Sequence, residues 1–138
     1  MTYAYLVTPL VAWLLAGSLK FLVNSVRAGK LAFDLIGYGG MPSNHSAIVC
    51  SMPALIAIKE GVATPAFGVA IALAFVVMLD ANSLRRKVGE QAAVINRLAA
   101  GLEGYKPLRE RMGHTRAEIA AGALVGCVAA WLVQVSGL

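Results

Sequence analysis

Long uncharged stretches limit what this chain can fold into. From Tyr3 to Val26 the only charged side chain is Lys20, and from Thr64 to Leu79 there is none. About 20 helical residues, at roughly 1.5 Å each, cross the hydrocarbon of a bilayer, where every backbone amide must find its partner inside the helix. Stretches like these therefore predict bilayer-spanning helices. At 138 residues, 59% hydrophobic and 14% charged, the chain is too apolar for an ordinary soluble domain and too short for two. It reads as one integral membrane domain over residues 1–138.

The expected architecture is all-α: a polytopic membrane bundle of about four transmembrane helices plus one amphipathic surface helix. The first span covers about Tyr3 to Val26. It lacks the basic leading region of a signal peptide and is expected to persist in the mature protein. A second, shorter span follows Pro42, from about Ser43 to Ile58, and ends at Lys59-Glu60-Gly61. The third begins near Thr64-Pro65, with proline at a tolerated first-turn position, and runs to Leu79. Charges spaced among apolar residues from Arg85 to Tyr105 predict a helix lying on the membrane surface. The last span runs from about Arg116 to Val135, where Gly122 and Gly126 permit close packing, either within the chain or in a homodimer.

Lysine and arginine placement suggests the orientation. The connection after the first span holds Arg27 and Lys30, and the stretch from Leu84 to Arg116 holds Arg85, Arg86, Lys87, Arg97, Lys106, Arg109, Arg111 and Arg116, whereas the opposite side has only Lys59. By the positive-inside rule the basic side is cytoplasmic. Both termini are then outside, in the cell inner membrane. Net charge +5 fits attraction to anionic lipid, and no nucleic-acid motif accompanies it. Cys50 and Cys127 have no metal-ligand spacing and read as small, buried apolar residues within spans.

The only two histidines, His45 and His114, each interrupt this oily sequence in a polar segment. Chemistry on a phosphate ester needs one group to attack phosphorus and another to protonate the leaving oxygen. Pro42-Ser43-Asn44-His45 opens a helix, where free amides and the positive dipole end favour phosphate; an ordinary capped helix start is the plain alternative. Lys20 and Arg27 lie two turns apart on one face and suit an anion, or else snorkel to the headgroups. His114 and Glu118 are one helical turn apart, so the carboxylate can orient the imidazole. Thr115-Arg116-Ala117-Glu118 equally matches a capping box. Both readings stand at this point. Asp80 either pairs with an arginine or caps a span.

Taken together, these segments resemble the divergent bacterial branch of the type-2 phosphatidic acid phosphatase superfamily, related to vanadium-dependent haloperoxidases. The matching stretches are Gly39-Gly40-Met41-Pro42-Ser43-Asn44-His45-Ser46-Ala47, Asp80-Ala81-Asn82-Ser83-Leu84-Arg85-Arg86 with Gly89-Glu90-Gln91-Ala92 and Asn96, and Gly113-His114-Thr115 with Glu118. The resemblance implies that Lys20 and Arg27 bind phosphate, Ser43 helps to seat it, His114 attacks phosphorus with Glu118 as its carboxylate partner, and His45 is the acid and base. Asp80 and Asn44 are possible support. Neither metal nor other cofactor is required by that scheme.

Several positions depart from the family pattern: Asn44 stands for glycine, Ala28 for proline, Glu118 for aspartate, and Leu108 for the arginine ahead of the nucleophile. Arg85 or Arg86 is expected to replace that arginine, with preference for Arg86 over Arg85 and with Arg109 and Arg111 behind them. The expected substrate is a lipid phosphate at the cytoplasmic leaflet, with phosphatidylglycerophosphate first and phosphatidic acid and polyprenyl phosphates or diphosphates as alternatives. A catalytically inactive lipid-binding scaffold and a metal-dependent site using His45, His114, Asp80 and Glu118 are the competing classes.

Overall fold

A computed structural model describes residues 3–31, 33 and 40–138; Gly39 of the first motif lies outside them. The described chain is helical and contains no strand. Its elements are α1 (Ala4–Ala28), α2 (Asn44–Lys59), α3 (Pro65–Asn82), α4 (Leu84–Ala99) and α5 (Arg116–Val135). Local chemistry explains several of these boundaries. The Ser43 Oγ accepts from the Ser46 amide at the start of α2, and Thr64 caps α3 with Pro65 following it. Gly29, with φ of 64°, closes α1 in the left-handed region that favours glycine.

Three stretches are long and apolar enough to cross a membrane: Ala4–Ala28, Pro65–Ala99, which joins α3 to α4, and Arg116–Val135. Helix α2 is not among them. Its 16 residues reach only about 24 Å, short of the roughly 30 Å of hydrocarbon. It is nevertheless the hub, packed against α1, α3 and α5. That central place accounts for its buried Ser46, Ala47, Ser51, Leu55 and Ile56.

Small residues let α2 and α5 approach closely. A Cβ added at Gly122 would lie 2.3 Å from the Ser43 carbonyl oxygen, and one at Gly126 would lie 2.4 Å from that of Ala47. Neither substitution fits without movement. These glycines serve packing within the chain, which resolves one of the two uses expected of them. The same face is continued by buried Ala129, Ala130 and Val133. Cys127 lies off this inward face and is exposed, against the expectation of burial, because one helical step turns a side chain about 100° away from Gly126. Cys50 is half-buried, with its Sγ 3.8 Å from the Met78 Sδ.

Tyr5, near the start of α1, donates its hydroxyl to Glu60 just beyond the end of α2. The two helices are thus antiparallel. Helix α4 touches α3 alone among the described helices, with Gly89, Ala92 and Ala99 buried and its charged face outward. The amphipathic pattern expected there is thus formed, over Leu84–Ala99 and not as far as Tyr105.

Candidate functional site

The short polar segments meet where α2 and α5 begin. The Ser43 amide donates to the Glu118 carbonyl (3.0 Å), tying the two helix starts together. Ser43 is fully buried, and its Oγ accepts from both the Ser46 amide (3.3 Å) and the Ser46 hydroxyl (3.0 Å). Its side chain is therefore occupied in capping. Any help it gives a bound phosphate comes through the helix start it holds in place.

His114 is set by the end of α3. Its amide donates to the Ala81 carbonyl (2.9 Å). The preceding Gly113 has φ of 86°, and a Cβ there would come within 3.1 Å of the Arg86 amide nitrogen. Only glycine meets both demands cheaply. As a result the His45 and His114 rings lie with centroids 6.1 Å apart and planes at 70°. His45 Nδ1 and both ring nitrogens of His114 are buried without a hydrogen-bond partner. Buried polar atoms are nearly always paired, so three open nitrogens on two neighbouring rings mark a place for a polar ligand.

The surrounding charges are mostly positive. Lys20 and Arg85 act on both histidines, Asp80 on His45, and Glu118 on His114 and Lys20. Burial, followed by the Lys20 charge, lowers the His114 pKa below its ordinary 6.5, while Glu118 pulls the other way. The imidazole is thereby kept neutral, the form that can attack an electrophile.

Arg85 Nε donates to Asp80 Oδ2 (3.1 Å), so Asp80 pairs with an arginine and holds it beside the histidines. Arg86, the side chain favoured from sequence, is largely exposed and pairs with Glu90 at 3.4 Å. Arg86 also lines the cavity beside His114. Arg27 is exposed in the last turn of α1 and is not among the charges acting on either histidine. The structure brings Lys20 to the pair and leaves Arg27 outside it.

Glu118 completes a capping box. The Thr115 amide donates to Glu118 Oε2 (2.9 Å), and the Glu118 amide donates to Thr115 Oγ1 (3.2 Å). The carboxylate thus reaches His114 through its charge, while a hydrogen bond commits it to the helix start. Of the two readings open from sequence, the cap is the one formed. Asn44, one residue before His45, keeps its Oδ1 buried without a partner.

A cavity of about 510 Å³ opens beside His114, lined by Asn82, Arg86, Arg111, Arg116 and Glu118 among others. Arg116 was legible in the sequence only as a topology charge. The backbone that brings it there is held by Asn96, whose side chain makes four hydrogen bonds: its Nδ2 donates to the Leu108 carbonyl (2.8 Å) and Glu110 Oε1 (2.7 Å), and its Oδ1 accepts from the Tyr105 hydroxyl (2.6 Å) and the Leu108 amide (2.7 Å). Across from this strap, a Cβ at Gly89 would collide with the Glu110 carbonyl oxygen at 2.2 Å. Asn96 and Gly89 stand in the matched motif, but their function in holding the Tyr105–Met112 strap could not be read from it. Among the described residues, no three His, Cys, Asp or Glu side chains cluster as metal ligands do.

Comparison with known proteins identifies the family. A family model described as the Divergent PAP2 family matches residues 1–129. YuiD of Bacillus subtilis (strain 168), described as an uncharacterized membrane protein, is 34% identical over 138 aligned residues, covering 88% of this chain and 87% of its own. No solved structure matches. With both histidine segments, the Asp80–Arg86 block and Asn96 inside the matched region, the chain belongs to the divergent PAP2 family of membrane proteins.

Proposed function

We propose that this protein is a lipid phosphate phosphatase that works through a phosphohistidine. The observation that carries the reading is the facing histidine pair, with its three unpartnered buried nitrogens under the charges of Lys20 and Arg85. Phosphoryl transfer asks chiefly for positioning and for fixed positive charge around the equatorial oxygens. Lys20 and Arg85 provide that charge, and the start of α2 adds its amides and dipole. A ring nitrogen of neutral His114 attacks phosphorus, the bond from phosphorus to the alcohol oxygen breaks, and protonated His45 gives its proton to that oxygen. Water then attacks the phosphohistidine. His45 takes a proton from this water, the N–P bond breaks, and inorganic phosphate leaves. Glu118 steadies the transient positive charge on His114.

The substrate we favour is phosphatidylglycerophosphate at the cytoplasmic leaflet of the cell inner membrane, with α2 as a fourth, shorter membrane-embedded helix and both termini outside. A polyprenyl diphosphate is the second reading. It is favoured by Arg111 and Arg116, which line the cavity beside His114 and exceed what one phosphate needs.

The test is phosphate release by the purified protein from each lipid phosphate, with and without EDTA. Release that survives EDTA and is lost in both His45→Ala and His114→Ala, with radiolabelled phosphate trapped on His114, is the expected result. Loss with EDTA would favour a metal site. Tight lipid binding with no release from any substrate would leave a scaffold and overturn the proposal.

A further inference from the structure

A second cavity, about 690 Å³ in volume, lies along α1 and is lined mainly by apolar side chains. Trp13, Gly17, Phe21, Leu22 and Asn44 are among the residues that line it. Phe33 packs on Phe21 with ring centroids 5.1 Å apart, closing one side. Resting on the phosphatase reading, we infer that this groove seats one hydrocarbon chain of the lipid phosphate whose head group lies between His45 and His114.

Continuity with the site selects that occupant. Asn44 lines the groove and immediately precedes His45 on α2, and a Cβ at Gly17 would touch Asn44 Nδ2 at 3.8 Å. Lys20, which acts on both histidines, follows Gly17 by less than one turn of the same helix. From Lys20 back to Trp13 the groove descends α1 by about 10 Å, toward the middle of a 25-residue span. A phosphate held at the histidines therefore has an apolar path for its tail leading from the head group to the bilayer centre. The path is an open groove whose Trp13, Leu22 and Phe33 are themselves exposed, so a tail enters it sideways from the bilayer. Asn44 Oδ1, buried and unpartnered, can only accept, and so suits a hydroxyl of the head group at the end of the groove next to His45. The chemical class is thus a phosphate ester of a long-chain lipid, in preference to a soluble phosphomonoester.

The experiment compares kcat/KM for a long-chain lipid phosphate in vesicles with that for water-soluble p-nitrophenyl phosphate. Gly17→Leu fills part of the groove and should lower the ratio of the two by roughly tenfold or more. Val69→Phe, on an exposed face of α3, should leave the ratio where it is. A ratio unmoved by Gly17→Leu would overturn the inference. A parallel measurement covers a misfolded variant and an inactive wild type: a lipid phosphate with a photoreactive tail should label Trp13 or Phe21 in the wild-type protein, and excess long-chain lipid phosphate should compete the label away. Equal competition by phosphate-free diacylglycerol would show ordinary bilayer lipid in the groove and sink the tail seat. Failure of phosphate release with specific labelling retained would instead count against the catalytic reading alone.

Discussion

In the proposed reaction His114 is the nucleophile, and its environment has a measurable sign. Burial and the Lys20 charge lower its pKa below 6.5, so the neutral nucleophile is present above that lowered value and lost as pH falls through it. The acid limb of kcat/KM should accordingly have its midpoint below 6.5. Lys20→Met removes a charge that disfavours the imidazolium and should move the midpoint to higher pH. A limb that stays put or moves lower contradicts the electrostatic account, and steady-state kinetics across pH decides it. The two neighbouring arginines make a second contrast. Arg85→Ala should reduce kcat roughly 10²-fold, the scale of losing one fixed transition-state donor. Arg86→Ala, already paired with Glu90 at the surface, should cost less than about tenfold by the same assay. Adjacent positions on a helix point about 100° apart, and sequence order alone could not say which side chain turns inward.

At the scale of elements, α2 and α5 meet without room to spare. Gly122→Ala would bring its Cβ to 2.3 Å from the Ser43 carbonyl oxygen, and overpacking of this kind costs about 1–3 kcal/mol. Thermal unfolding in detergent should show the loss together with reduced phosphatase activity, because Ser43 begins the helix that carries His45. The strap ahead of His114 yields a different prediction. Asn96→Ala strips partners from the Leu108 amide and carbonyl, which are exposed and can turn to water, so the loss is about 0.5–1.5 kcal/mol per bond. Hydrogen exchange should accelerate over Tyr105–Met112 while α1 and α2 keep their protection. The small-residue spacing of α5 was legible in the sequence as a packing face. Its partner was not, since a glycine stripe suits another helix of the same chain as well as a second copy.

Across the whole molecule, the ends of α1 and α3 and the starts of α2 and α5 gather on one side. Single cysteines introduced into a background with Cys50→Ala and Cys127→Ala should report that arrangement. Lys106→Cys should react with an impermeant reagent from the cytoplasmic side and Val62→Cys from the opposite side; the reverse pattern would invert the proposed orientation. Sequence by itself determined the helical class, the start of α3, both ends of α5 and the polar segments that interrupt the helices, because apolar run length and capping residues act locally. It also identified the family, since three ordered motifs survive in the chain. Tertiary structure alone decided that α2 is the packing hub, that the capping box at Glu118 forms, and that Asp80 pairs with Arg85 while Glu90 pairs with Arg86. Those outcomes depend on which faces meet across distant segments, and that is settled by close contacts such as Gly122 against Ser43 and Gly113 against the α3–α4 junction.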